Sequence, residues 1–352
     1  ARVPLGSDAW VLRGAARPAE GCAWEVVRAG AEAPPARVGH AQATVGDAAY
    51  IFGGRNAIAV GEGGLNDLYA FRSAEGGRWE KLERAQAPAP RSYHTMAAAE
   101  GASTLYSFGG CGEGGRLADL HALDVREPCW RTMKSSPLRG RGGASLFASA
   151  DGTSVMVVAG FAGEETRDIA LFDARKAAWH EVDASAWLCK RSVVAHFRDQ
   201  RGRAILFGGE VDPSSKGHNG AGSFANDVLA LGLDGEPLEL VLSGGTDAPA
   251  PEPRGWGAMA MVAPDVGVVF GGLAGDDSNP RRLGDAWALT LGSEADSSNE
   301  DLKEFVTEMC SQCRALIALI PTASSRFECS SCGFTSTRDE NRARAASHAR
   351  AC

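Results

Sequence analysis

Tyrosine is scarce in this chain, with 4 residues, and phenylalanine contributes 13, while glycine reaches 44. That imbalance predicts many tight turns, where a residue without Cβ is at an advantage. Basic residues fall short of acidic ones, 36 Lys and Arg against 44 Asp and Glu, for a net charge of -8. A chain-wide nucleic-acid binder would carry a basic surface, so that class is excluded and only a local basic patch stays open. Long apolar runs are missing too. The longest near the C-terminus, ALIALI at 315–320, is far too short to cross a bilayer, so no membrane partner is expected. The first residues lack the basic, apolar and small-residue succession of a signal peptide. With Ala in place of an initiating Met, the natural N-terminus is expected to be missing.

What remains is ordinary for a globular protein, with 44% hydrophobic residues in a length that admits two or three domains. There are 9 cysteines; four form two C-x-x-C pairs near the end and the rest are scattered. This usage points to thiolate metal chemistry in a reducing compartment rather than to a disulfide framework. Cytoplasm or nucleus is therefore the expected location.

Internal repetition decides the fold. Five segments open alike: ARVGHAQAT around Arg37, PRSYHTMAA around Arg91, GRGGASLFA around Arg141, KRSVVAHFR around Arg191 and PRGWGAMAM around Arg254. Each leads into an apolar run ending in small residues: AYIFGG, LYSFGG, VMVVAG, AILFGG and VGVVFGG. A third element follows in each unit: NDLYAF, ADLHAL, RDIALF, NDVLAL and GDAWAL. Three units then carry a tryptophan element at Trp79, Trp130 and Trp179, and the fourth has PLELVL in its place. The opening arginines are spaced by 54, 50, 50 and 63 residues.

Short apolar runs bounded by glycine and polar turns read as strands, and a period of about 50 residues with four strands matches a propeller blade. The chain resembles the kelch superfamily over residues 8–292, which implies an all-β fold, a kelch β-propeller. DAWVL at Asp8 matches the third element and CAWEVV at Trp24 the fourth, with no first two elements before them. The preferred expectation is six blades with the first incomplete; the alternative is five blades sealed by the Trp24 strand. The five repeated arginines are expected to brace blades rather than to bind ligand.

The 63-residue unit holds the longest insertion, ILFGGEVDPSSKGHNGAG at 205–222. Glu210 and Asp212 lie two apart and share a side of an extended segment, and His218 follows the PSSKG turn. Two carboxylates and an imidazole suit Fe(II), Mn(II) or Zn(II) with open coordination positions. The segment also resembles the plant specifier proteins, kelch propellers that use Fe(II) to direct breakdown of glucosinolate aglycones to nitriles, epithionitriles or thiocyanates. Glu210 and His218 occupy the first and last positions of that family's Glu-x-x-x-Asp-x-x-x-His motif; Ser214 stands at the middle position, with Asp212 nearby. The resemblance further implies substrate contacts from Arg55, Tyr93 and Arg116, and a small anionic, sulfur-containing ligand. A guanidinium offers a planar fork of donors to a sulfate.

From about Gly292 the repeat stops. Residues 293–308 are acidic and serine-rich, which suits a linker. DLKEFVTEM, from Asp301, predicts a short helix. Then Cys310 and Cys313, and Cys329 and Cys332, form two C-x-x-C pairs with fifteen residues between them. Such pairs make a tetrahedral Zn(II) site, and RFECSSCGF resembles a zinc-ribbon knuckle, so residues 309–352 are expected to be a zinc-ribbon-like segment with a basic tail. The rival ligand set is Cys329, Cys332, His348 and Cys352. Any nucleic-acid contact would come from this segment alone. Two functions stay open: an iron-dependent, lyase- or isomerase-like specifier activity, and a non-enzymatic kelch adaptor that binds another protein.

Overall fold

The computed structural model describes residues 9–15, 23–27, 32–57, 59, 62–72, 77–217, 220–238 and 250–291, together with four short C-terminal strands. The chain divides into two compact units, Ala1–Val182 and Asp183–Cys352.

The first unit contains a two-stranded sheet and three four-stranded antiparallel sheets. β1 (Ala9–Arg13) pairs with β2 (Ala23–Val27). The next sheet runs β3 (Ala41–Val45), β4 (Ala48–Phe52), β5 (Leu68–Arg72) and β6 (Arg78–Leu82). The following one runs β7 (Thr95–Ala99), β8 (Thr104–Gly112), β9 (Gly115–Asp124) and β10 (Arg131–Thr132). The last comprises β11 (Ser145–Ala148), β12 (Ser154–Phe161), β13 (Glu165–Asp173) and β14 (Ala178–Val182). Strand alternation explains the packing: in β4, Ala48, Tyr50 and Phe52 are buried and the residues between them less so. Tyr106, Phe108, Leu120 and Ala122 of one sheet share a core with Val155, Val157, Ala170 and Phe172 of the next. Burying one such large side chain contributes about 1.5–3 kcal/mol.

In the second unit β15 (Ala195–Arg198), β16 (Ala204–Phe207), β19 (Val228–Leu231) and β20 (Pro237–Leu238) form a four-stranded sheet. Between its second and third strands the chain makes a small hairpin of β17 (Glu210–Asp212) and β18 (Ser223–Phe224). A three-stranded sheet follows: β21 (Ala258–Ala263), β22 (Val266–Ala274) and β23 (Arg281–Thr290).

Each of the five sheets is closed by the same arginine. Arg37, Arg91, Arg141, Arg191 and Arg254 pair with Asp67, Asp119, Asp168, Asp227 and Asp285, the second residue of each third element. One guanidinium nitrogen also donates to the carbonyl of Gly53, Gly109, Ala159, Gly208 or Gly271 at 2.9–3.1 Å. The Nε–H turns back to the carbonyl two residues earlier. These arginines brace blades, as their periodicity predicts.

The glycine pair has an equally local cause. Gly54, Gly110 and Gly209 donate N–H to the carbonyls of Arg91, Arg141 and Arg254, the opening arginines of the following sheets, at 2.8–2.9 Å. A Cβ at Gly109 would lie 2.8 Å from the Arg141 carbonyl oxygen, and one at Gly110 would lie 2.7 Å from the Cβ of His94. The first glycine is crowded by the next sheet's opening residue and the second by its own sheet's opening segment, which leaves no room for a side chain at either.

Six blades were expected, and the structure has five. The anticipated sixth exists only as the β1–β2 pair, with Trp10 57% and Trp24 43% exposed. Two strands do not complete a four-stranded blade. In the fifth sheet Phe270 is 37% exposed, whereas the equivalent Phe52 of the first sheet is wholly covered. The helix expected from Asp301 is also corrected. Residues 307–309 form β24 (Thr307–Met309), drawn into extended pairing with β25 (Leu316–Ala318). A second hairpin joins β26 (Arg326–Glu328) to β27 (Thr335–Thr337). The linker residues 292–306 lie outside the described residues.

Arg191 and Asp227 are both 2% exposed, so removing one leaves a buried charge without its partner. Arg191→Ala is expected to lower the unfolding free energy by about 3–5 kcal/mol. Arg126→Ala, whose guanidinium is 69% exposed on Asp124, should cost under ~1 kcal/mol. Urea unfolding of the two variants measures the contrast; equal losses would contradict it.

Candidate functional site

The residue two places after each opening arginine adopts a left-handed backbone: Gly39, Tyr93, Gly143, Val193 and Trp256 have φ of 49–69°. The reason is a chain of backbone bonds from sheet to sheet. Tyr93 N donates to Gly39 O at 2.7 Å, Gly143 N to Tyr93 O at 2.9 Å, and Trp256 N to Val193 O at 2.8 Å. Two units satisfy this geometry with glycine. Tyr93 does so at a conformational cost of roughly 1–2 kcal/mol, and strain of that kind persists where the side chain is put to use.

Its ring meets Arg55. The phenol oxygen of Tyr93 accepts from Arg55 Nη2 at 2.9 Å, and the guanidinium carbon lies 5.4 Å from the ring centre. Arg55 is 1% exposed, held at Nη1 by the Ala57 carbonyl, and its backbone bridges Val38 and Gly64. Arg116 is exposed and stacks its guanidinium 4.7 Å from the centre of Phe161. Arg116 also faces Cys111 across the β8–β9 ladder. Burial pushes the Cys111 thiol up, and the positive charges of Arg116 and Arg55 pull it back. The Cys111 sulfur and the Tyr93 Cβ lie against the same glycine, Gly142. The three residues expected to contact a substrate therefore gather around one thiol.

Cys111, Ser92, Gly64 and Pro90 line a cleft of about 380 Å³, with Glu62 and Glu113 on its lining as well. Sequence reading missed Cys111, Ser92 and the two glutamates. Ser92 follows an opening arginine and Cys111 a glycine pair, two positions that bridge one another in each of the five sheets.

The insertion of the second unit is arranged differently. Glu210 is 8% exposed and its Oε1 accepts from Gly222 N at 3.2 Å, while Asp212 is exposed. Pairing with β18 shifts between Glu210 and Asp212, which interrupts the alternation that would put both on one side. Ser214 donates its hydroxyl to Asp277, and Ser215 donates to the same carboxylate from N at 3.0 Å and from Oγ at 2.6 Å. Those hydrogen bonds hold the Asp277 carboxyl below its ordinary range. A carboxylate thus stands beside position 214, supplied by another loop. His218 lies outside the described residues. Among the described residues no three His, Cys, Asp or Glu side chains converge on one point. Glu210 thus meets a backbone amide, and Ser214 is engaged by Asp277. Cys310, Cys313, Cys329, Cys332, His348 and Cys352 also lie outside the described residues.

Comparison with known proteins agrees with the geometry of the sheets. Residues 17–209, more than half of the chain, match the KLHDC2/KLHL20/DRC7 kelch-repeats domain, and the chain belongs to that family. It is an all-β kelch propeller with five blades. A similar protein is an N-(sulfonatooxy)prop-2-enimidothioate sulfolyase of Thlaspi arvense, 26% identical over 265 residues, covering 68% of this chain and 73% of the relative. Adagio-like protein 1 of Oryza sativa subsp. japonica is 30% identical over 247 residues, covering 68% of this chain and 38% of the relative. Adagio protein 3 of Arabidopsis thaliana is 27% identical over 278 residues, 75% of this chain and 43% of the relative. The chain thus spans less than half the length of these adagio relatives. No described helix is long and apolar enough to cross a membrane.

Replacing the strained tyrosine by glycine separates its two roles. Tyr93→Gly should keep the melting temperature within ~2 °C of the parent or raise it, and should weaken binding of a sulfate monoester at least fivefold. A large fall in melting temperature with unchanged binding would show that Tyr93 serves packing alone.

Proposed function

We propose that this protein is a ligand-binding kelch propeller of the specifier type, which receives a small anionic, sulfur-bearing group between Arg55 and Arg116. The observation that carries this reading is the gathering of Arg55, Tyr93 and Arg116 around Cys111, which itself lines a neighbouring cleft of about 380 Å³. Arg55 is braced by Tyr93 and by the chain, so its guanidinium is fixed before a ligand arrives. Arg116 lies on an aromatic face at the surface and can close on an oxyanion. The similarity to a sulfolyase over 73% of that relative's length supports the same ligand class.

The second reading, a scaffold that binds another protein, is favoured by the similarity to adagio-like kelch proteins. The two differ in what Arg116 does. Isothermal titration with methyl sulfate is expected to show binding that Arg116→Gln weakens at least tenfold without a change in melting temperature. Absence of methyl sulfate binding, or equal binding by the variant, would overturn the ligand reading and leave the scaffold.

For the C-terminal segment we propose a structural Zn(II) held by Cys310, Cys313, Cys329 and Cys332. Each C-x-x-C pair falls in the six-residue connection of a hairpin, at its first and fourth positions, in both hairpins. Four protein ligands leave no position for catalysis, so such a zinc supplies folding free energy to a segment too small for an apolar core. Elemental analysis of the purified full chain should give one zinc per chain, lost on Cys329→Ser. Zinc content unchanged by Cys310→Ser but lost on His348→Ala would instead assign the site to Cys329, Cys332, His348 and Cys352. A reducing cytoplasm or nucleus suits these thiolates.

A further inference from the structure

One side chain of the cleft beside Cys111 is covered by protein and still lacks a hydrogen bond. Ser92 is 1% exposed, and its hydrogen bonds are the two that its backbone exchanges with Cys111, at 2.9 and 2.7 Å. Its hydroxyl has no partner among the described residues, and Ser92 forms part of the cleft lining. A covered hydroxyl left unpaired costs stability, so the cleft is where that hydrogen bond remains to be made. Two carboxylates line the same space from two different loops. Glu62 comes from the connection between β4 and β5, and Glu113 from the turn closed by the Gly112–Gly115 pair. Both are exposed, and neither side chain joins an ion pair or a hydrogen bond among the described residues. No cationic side chain stands among the described residues that line the cleft. Arg55 is covered and engaged by Tyr93 and the Ala57 carbonyl, and Arg116 lies on Phe161.

Two unpaired carboxylates on one concave surface favour a cation. A guanidinium suits them better than an ammonium. It is planar, with donors on more than one edge, so it can meet carboxylates from two loops and still give an N–H to Ser92 Oγ. Pro90 and Cys111 supply an uncharged wall along which a methylene stem can lie. We propose that the cleft receives an arginine side chain presented by a partner protein, its guanidinium held by Glu62 and Glu113 and by the Ser92 hydroxyl. The source is a protein surface because the cleft opens among loops of two neighbouring sheets, with both carboxylates exposed. A partner can rest on those loops while one side chain enters. This site goes beyond the sulfate-binding reading and does not depend on it, since Arg55 and Arg116 take no part.

The test is calorimetric titration of the full chain with a capped pentapeptide carrying one arginine among glycines. Peptides with citrulline or lysine at the central position serve as comparisons. The arginine peptide is expected to bind at least tenfold more tightly than the citrulline peptide, which keeps the shape without the charge, and at least threefold more tightly than the lysine peptide. Glu62→Gln and Glu113→Gln, at exposed positions, should each weaken it at least fivefold with the melting temperature unchanged. Ser92→Ala keeps both charges and should still weaken it at least threefold, a loss that diffuse attraction to an acidic surface would not show. Equal binding of the arginine and citrulline peptides, or affinity unchanged by the two Glu variants or by Ser92→Ala, would overturn the proposal. Lysine binding as tightly as arginine would overturn the guanidinium assignment, and agmatine binding more tightly than the peptide would overturn a protein as the source. Each of these results leaves the sulfate reading, tested through Arg116, where it stood.

Discussion

An arginine that reaches across its own sheet to an aspartate and a carbonyl is the interaction on which the rest of this structure depends. It occurs five times, at Arg37, Arg91, Arg141, Arg191 and Arg254, with the same three kinds of partner. Each guanidinium satisfies the carbonyl exposed where the glycine pair, or Ala159–Gly160 in the third sheet, turns, and each carboxylate neutralises a charge that burial would otherwise make costly. Where the aspartate is part-exposed, as at Asp285, the bond from Arg254 holds its carboxyl down at about 2, so the pair stays ionised over any ordinary pH. In three sheets the second glycine of the pair then donates to the carbonyl of the opening arginine of the following sheet. Fixing one end of every sheet in this way leaves the outward loops to vary.

That division of labour sorts the arginines by role. The five repeat arginines are each paired with an aspartate inside their own sheets. Arg55 and Arg116 stand outside the period, and the fold uses Tyr93 and Phe161 to hold them beside Cys111. Tyr93 links the two sets. Its backbone occupies the left-handed position that sheet-to-sheet bonding requires, and its ring serves Arg55. A residue can do both only by accepting strain; glycine avoids it in two other units, and Val193 and Trp256 accept it in the remaining two.

Much of this was legible in the sequence, because repetition turns a local rule into a visible period. The opening arginines, the glycine pairs and the strands of the five sheets follow from it, and Arg55, Tyr93 and Arg116 were singled out on resemblance. The aspartate of each third element was equally visible in ND, AD, RD, ND and GD but was not connected to the arginine, since the pair is 27–36 residues apart along the chain. Asp277 was invisible for a different reason. It brings a carboxylate to Ser214 from a loop some sixty residues away, and no local pattern announces that. The number of blades was misjudged because matching two elements of a repeat does not supply the other two. The strand at Thr307–Met309 was misread as a helix because three apolar residues at helical spacing cannot reveal that a partner strand competes for the backbone.

The central claim is that the arginines of this chain form two populations, one belonging to the fold and one to a ligand. Arginine Nε–H resonances report it directly, since each repeat arginine donates that proton to a backbone carbonyl. In a spectrum of the full chain recorded with and without methyl sulfate, the account requires five protected Nε–H signals that do not move and an Arg116 signal that shifts on titration. Shifts in the repeat arginines with Arg116 unaffected would contradict it.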